Sequence, residues 1–192
     1  YNSPAYLKWT SNVIGTCTIS PAVSGFSGGT LQTVGLSTGN LTTNTTYTLT
    51  CGVTGGTASD TVVVNVTTPT VTASLTPSPT TGTGDTSVVL SSTVGGTALG
   101  TINYSYWWHC NNATNNVGTA EAACGTLSTP ASGNCSANTS GYKCNNVTLI
   151  NPNQTSAHIY TPGTYNPKVI VERASANAAQ VVQTLTINPL PV

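Results

Sequence analysis

Charge is nearly absent from this chain. Eight of its 192 residues are charged at neutral pH: Lys8, Lys143, Lys168, Arg173, Asp60, Asp85, Glu121 and Glu172, which sum to zero. That is 4%, where soluble domains carry about 25%. Nucleic-acid binding needs clustered Lys and Arg to neutralise phosphates, so the composition excludes it. The same poverty excludes a polybasic contact with anionic membrane. No run approaches the roughly 20 apolar residues that span a bilayer, so membrane insertion is not expected. No two of the four carboxylates lie close in sequence, and neither His109 nor His158 sits beside a marked nucleophile. No second histidine stands at ligand spacing from His109, which leaves no metal motif. The chain therefore reads as a non-enzyme without a cofactor. Methionine and a signal peptide are also missing, which reads as a mature or trimmed product.

What is present is threonine, valine, serine and asparagine in strand-favouring alternation. Disordered chains are typically charge-rich and poor in β-branched residues, so disorder fits badly. Six cysteines in such a chain predict disulfides and an extracellular, oxidising setting at the cell surface. Period-two patterning dominates, and no convincing helical stretch stands out. In Thr46-Tyr-Thr-Leu-Thr-Cys51, Tyr47, Leu49 and Cys51 share one face and three threonines the other. Gly, Pro and Asn clusters punctuate the runs at sandwich spacing. The hinge Thr67-Thr68-Pro69 divides the chain into domains 1–68 and 69–192.

The two domains differ at their starts. The second opens with an extended run, Pro69-Thr-Val-Thr-Ala-Ser-Leu-Thr-Pro77, before its next strand at 86–94. The first opens directly with what corresponds to that second strand, Ala5-Tyr-Leu-Lys-Trp-Thr10. The expectation is a sandwich lacking its own first strand, with unpaired backbone and an unfilled apolar groove beside it. Strand addition from another chain can fill such a groove. Ala5, Tyr6, Leu7 and Trp9 are its candidate interface residues.

The segment His158-Ile-Tyr160 … Gly163-Thr-Tyr165 … Val169-Ile-Val171 resembles the signature of PKD-type immunoglobulin-like domains, with Pro167 departing from a position usually held by Val. Trp9, Cys17, Tyr47, Leu49 and Cys51 resemble the pattern of bacterial immunoglobulin-like repeats in secreted surface proteins. These resemblances imply an all-β protein of two tandem immunoglobulin-like β-sandwiches, the second interrupted by a Cys-rich insertion at about 110–155. They imply spacers, adhesive arms or filament subunits and do not choose among them.

Cys17 and Cys51 are the only cysteines of the first domain and are expected to bridge its two sheets, contributing about 3–4 kcal/mol in the chain-entropy model. Trp9 is expected to pack near that bridge as core. Cys110, Cys124, Cys135 and Cys144 allow three pairings, among which the nested Cys110–Cys144 with Cys124–Cys135 is favoured and sequence alone decides nothing. Tyr104, Tyr106 and Trp108 share one face of a strand, with Ser105, Trp107 and His109 on the other. One tryptophan, Trp107 or Trp108, is thus either an exposed interface or sugar platform, or covered by the disulfide loop. Sequons stand at Asn40, Asn44, Asn65, Asn103, Asn112, Asn134, Asn138, Asn146 and Asn153, where covalent glycans would offset the missing charge.

The leading functional expectation is a structural subunit of an extracellular filament, polymerising with copies of itself by head-to-tail strand complementation. Its donor would be the Tyr1-Asn-Ser-Pro4 arm or the last strand and tail, 180–192, although four residues after Asn188 are few for a strand. The alternatives are an adhesive or carbohydrate-binding module and a passive spacer of a larger surface protein.

Overall fold

The computed structural model describes residues 1–11, 15–29, 31–53, 55–148 and 157–192. The chain divides into two compact units, Tyr1–Thr68 and Pro69–Val192. Both are immunoglobulin-like β-sandwiches, as their strand orders show.

In the first unit β1 (Ser3–Thr10), β2 (Cys17–Ser20), β3 (Leu31–Leu41), β4 (Thr45–Val53) and β5 (Gly56–Val64) form two sheets, β1-β3 and β2-β4-β5. All pairs are antiparallel. The alternation in β4 does what its pattern demands: Tyr47 and Cys51 are buried. Tyr47 meets Leu7 and Val23 between the sheets, with Trp9, Ile19, Leu36, Leu41 and Val64 partly buried around them. That is a small core for 68 residues.

The Cys17–Cys51 bond lies within one sheet rather than across two. Cys17 on β2 stands directly opposite Cys51 on β4, with Cα atoms 3.9 Å apart. The expected inter-sheet bridge fails because these two strands are immediate neighbours. Trp9 is half-buried. Its ring packs on Phe26 at 5.5 Å, and its Nε1 donates to the Gly29 carbonyl at 3.1 Å.

The second unit starts with short pieces: β6 (Thr72–Ala73), β7 (Thr76–Ser78) and β8 (Thr81–Thr83). Then come β9 (Thr86–Ser91), β10 (Val94–Gly95), β11 (Ile102–Trp107) and a helix, α1 (Val117–Cys124). Next are β12 (Cys135–Ala137), β13 (Gly141–Val147), β14 (His158–Tyr160) and β15 (Gly163–Tyr165). The unit closes with β16 (Lys168–Arg173), β17 (Ala179–Val182) and β18 (Leu185–Asn188). One sheet runs β12-β13-β11-β16-β17, and β14-β9-β7 forms another. A third, β15-β18-β8, holds the parallel pair β18–β8. Val88 and Leu90 of β9, Tyr104 and Tyr106 of β11, Val169 and Val171 of β16, and Leu185 and Ile187 of β18 share one large core.

The insertion folds around two local disulfides, Cys110–Cys124 and Cys135–Cys144, not the nested pair. Helix α1 returns Cys124 to Cys110, while the β12–β13 hairpin sets Cys135 opposite Cys144. Cys144 pairs in register with Tyr104, six residues before Cys110, which places it far beyond the 4.4–6.8 Å Cα span a disulfide tolerates. The helix is capped by the Asn116 side chain, whose Oδ1 accepts from the Thr119 N–H at 2.9 Å. Gly125 ends it at φ 102°, donating its N–H to the Glu121 carbonyl.

That capped, stapled segment covers the outer face of β11. Trp107 is fully buried with Cys110, Ala120, Leu127 and Ile170 in a second, smaller cluster. Its Nε1 donates to the Gly125 carbonyl at 2.9 Å. Trp108 is buried in the main core, and its Nε1 reaches the Asn138 carbonyl at 3.2 Å. Neither tryptophan is an exposed interface residue.

Candidate functional site

The two units share one strand plan, which makes the difference between them legible. In the second, β9 pairs with β14, while β11, β16 and β17 lie side by side. In the first, β1 pairs with β3, and β2, β4 and β5 lie side by side. Strand β9 has β7 on its other edge, and β18, which continues the line of β17, has β8 on its own. Among the described residues, β1 has β3 as its one strand partner and β5 has β4. Two positions filled in the second unit are open in the first.

Between those two open edges runs a groove of about 350 Å³. Tyr6, Leu7, Lys8 and Trp9 of β1 form one wall, and Asp60, Thr61 and Val62 of β5 the other. Ile19, Tyr47 and Leu49 form the floor. The apolar lining is only partly shielded from solvent: Tyr6 is 64% exposed and Val62 50%, whereas Leu7 is buried. Ala5 takes a different part, since its N–H donates to Thr38 Oγ1 of β3 at 3.0 Å. A two-stranded sheet is marginal in water without further pairing or packing. Among the described residues, edges with no second strand partner here sit beside exposed apolar side chains, the combination that invites an added strand.

The only Lys, Arg, Asp or Glu residues of the first unit, Lys8 and Asp60, stand on opposite walls of this groove. Asp60 Oδ1 accepts the Thr61 N–H at 2.8 Å. The N-terminal arm is already engaged: the Asn2 N–H donates to the Leu41 carbonyl at 2.8 Å, and Ser3 and Pro4 pair with Leu41 and Asn40. It is part of the β1–β3 sheet.

In the second unit the signature residues build an aromatic ladder. His158 stacks on Trp108 at 4.8 Å and 7°, and meets the edge of Tyr160 at 4.7 Å. Tyr160 contacts Tyr165 at 4.7 Å, and its hydroxyl donates to the Trp108 carbonyl at 2.8 Å. Burial lowers the affinity of His158 for a proton and pushes the Tyr160 phenol well above its ordinary range. The Tyr104 phenol is raised to about 12 for the same reason. These are core features, and they offer no oriented base.

Lys168 is a residue that sequence reading did not single out. Its side chain is fully buried, and Nζ donates to the carbonyls of Asn112 and of Thr114, the latter at 2.6 Å. Burial pulls its pKa down. It pins the start of the insertion, and its place between Pro167 and an apolar run was the one available signal. The salt bridge Lys143–Glu121, at 3.4 Å, ties the helix to β13. Among the described residues no group of three His, Cys, Asp or Glu is arranged to hold a metal.

The sequons fall into three groups. Asn40, Asn44, Asn65, Asn134 and Asn146 are exposed. Asn103, Asn112 and Asn138 are half-buried. Asn138 Nδ2 donates to the Thr126 carbonyl at 2.9 Å and its Oδ1 accepts from Ser140 and Gly141, so its amide is committed to the fold. Asn153 lies outside the described residues.

The three disulfides use all six cysteines, the pattern of an oxidising environment. No helix among the described residues is long and apolar enough to cross a membrane. No family model matches the sequence, and no curated protein does. Among solved structures the chain is similar to the titin domains Z1Z2, determined in complex with telethonin, at 12% identity and a TM-score of 0.30 over 98% of each chain.

Proposed function

We propose that this chain is a structural subunit of an extracellular surface filament, and that the open strand position of its first unit receives a β-strand from another copy. The observation that carries this reading is the groove between β1 and β5, at the place where the second unit has β7 and β8. An incoming strand would pair its backbone with the β1 edge and bury apolar side chains against Leu7, Trp9 and Tyr47. Each buried branched side chain contributes about 1.5–3 kcal/mol and each net hydrogen bond about 0.5–1.5 kcal/mol. A contact between a donor segment and a groove elsewhere on the subunit is heterologous, so it propagates into a filament wherever its rotation does not close a ring.

The resemblance to bacterial immunoglobulin-like and PKD-like domains of secreted surface proteins agrees with this setting. Glycans on the five exposed sequons would supply the hydration that so few charges cannot. The adhesive reading through Trp107 and Trp108 loses its support, because both rings are buried. A spacer reading survives only if residues preceding Tyr1 in a longer precursor fill the same edge.

Negative-stain microscopy and sedimentation of native material over a wide concentration range test the proposal. Filaments or concentration-dependent oligomers are expected. Material that stays monomeric at the highest concentration overturns it.

A further inference from the structure

Resting on that reading, we infer that the strand lent to the groove by a second copy is bipartite. Its first half pairs antiparallel with β1, its second half pairs parallel with β5, and between them it crosses from one sheet to the other. The second unit holds this pattern in its own first strand. β7 pairs antiparallel with the last three residues of β9, from Thr76 with Ser91 to Ser78 with Val89. β8 begins five residues after β7 and pairs parallel with β18, from Thr81 with Thr186 to Thr83 with Asn188. One segment thus closes the edges of two sheets, with Pro79 and Thr80 between its halves.

The correspondence holds along each strand as well as between strands. β4 pairs antiparallel with β5 as β16 does with β17 and β15 with β18, so β5 takes the place of β17 and β18 together. β7 and β8 lie on the C-terminal halves of β9 and β18. The walls of the groove are residues 6–9 of β1, which ends at Thr10, and residues 60–62 of β5, which ends at Val64. The groove therefore sits where the second unit carries its two-part strand.

A strand that paired with β1 alone would leave the β5 edge to solvent beside the half-exposed Val62, and one that paired with β5 alone would leave Tyr6 and the β1 edge. A crossing strand serves both edges with a few residues each and lays its inward side chains over Leu7, Tyr47 and Leu49. In the second unit the inward residue Pro77 is buried, and Leu75 just before it is 3% exposed. Residues 76–83 carry no charge, and a strand of that kind meets neither Lys8 nor Asp60 with a like charge. A second copy supplies such a strand readily, since its 192 residues include eight charged ones.

The test uses the full chain with a photo-crosslinking phenylalanine analogue at position 6 or at position 62, each mixed with an excess of an isotopically heavy, unmodified copy. Tyr6 and Val62 are exposed on opposite walls, so thermal unfolding of both variants is expected to match the parent. Positions 8 and 61 serve as second probes of the same walls. Crosslinks from both walls are expected in one heavy segment, with the position-62 site about five residues C-terminal to the position-6 site, the spacing of β8 from β7. Moving the probe from 6 to 8 is expected to shift its crosslink toward the N-terminus of that segment, the antiparallel sense. The reverse order, two unrelated heavy segments, or crosslinks from one wall alone overturn the bipartite strand and leave the filament reading standing. Oligomers without a crosslink from either wall overturn it together with the groove's place in the joint. Absence of oligomers from the unmodified chain overturns the filament reading and this inference with it.

Discussion

Replacing Trp107 by alanine separates a core residue from a ligand platform by magnitude alone. The indole is fully buried beneath α1 and donates to the Gly125 carbonyl. A buried aromatic removes about 150–250 Å² from water, or about 4–6 kcal/mol at 25 cal/mol per Å². A compact unfolded state reduces that by about 10–40%, which returns it to the 3–5 kcal/mol measured for such truncations. Orphaning the Gly125 carbonyl adds about 1 kcal/mol. The sum is a large part of the 5–15 kcal/mol that holds a domain together, and lowers its Tm by roughly 15–25 °C. Tryptophan fluorescence in a Trp9→Phe background reports the second unit alone, because the remaining tryptophans are both in it. Trp107→Phe keeps most of the burial and should lose only about 1–2 kcal/mol. If Trp107→Ala shifts the midpoint by only a few degrees, the indole is not core and its role as a binding surface returns.

Lys168→Met tests the buried ammonium. Two hydrogen bonds from a charged donor contribute about 3–6 kcal/mol, and desolvating the ammonium costs several kcal/mol, so at neutral pH the change should be within about 2 kcal/mol of neutral. The variant should nevertheless expose residues 111–115 to faster amide exchange. Because burial lowers the folded-state pKa of Lys168, the unfolded chain binds the extra proton, and parent stability rises with pH as it approaches the unfolded value of about 10.4. Denaturant midpoints followed as pH rises toward the unfolded value should show that rise in the parent and lose it in the variant. His158 acts in the acid range by the same logic. Its folded-state pKa is lowered by burial, so stability is lost as pH falls from about 6.5 toward the folded value. His158→Phe should flatten the profile between pH 5 and 7, and an unchanged slope would assign the acid sensitivity elsewhere.

The features that came through from sequence are those written locally. The face shared by Tyr47, Leu49 and Cys51 follows from period two within one strand, and β4 carries it. The correspondence of β1 to β9 was visible because the second unit supplied its own comparison. What stayed hidden depends on neighbours in space. Helix α1 is eight residues with a Gly and a Thr in its first turn, too short to hold itself. It stands because Asn116 caps it and Cys110–Cys124 staples it. The local signal was the run Ala120-Glu-Ala-Ala123 after a capping Asn. The nested cysteine pairing fails for the same reason, since it needed the hairpin register of β12 on β13. Alternation correctly put Trp107 and Trp108 on opposite faces of β11 and its continuation, but what covers the second face is an insertion 10–20 residues away. Strand order decided the Cys17–Cys51 bond, and order is the least local property of a sheet.

The placement of charge gives the open position a second meaning. An exposed edge beside apolar side chains is a general aggregation hazard, and proteins blunt it with edge charges. The first unit has two such charges in 68 residues, and both stand on the walls of the groove. Chance would scatter them over five strands and their loops. A strand bearing its own charges would meet one like-charged wall whichever sign it carried, or bury an unpaired ion against Leu7 and Tyr47, which is costly. A short neutral strand with apolar residues on one face meets neither obstacle. On the proposed reading, the same two residues would discourage pairing with charged strands and admit a neutral one. The contact itself would rest on backbone hydrogen bonds and apolar burial, which salt screens little. A chain almost without charge is suited to that kind of joint, because little else on its surface depends on ionic strength.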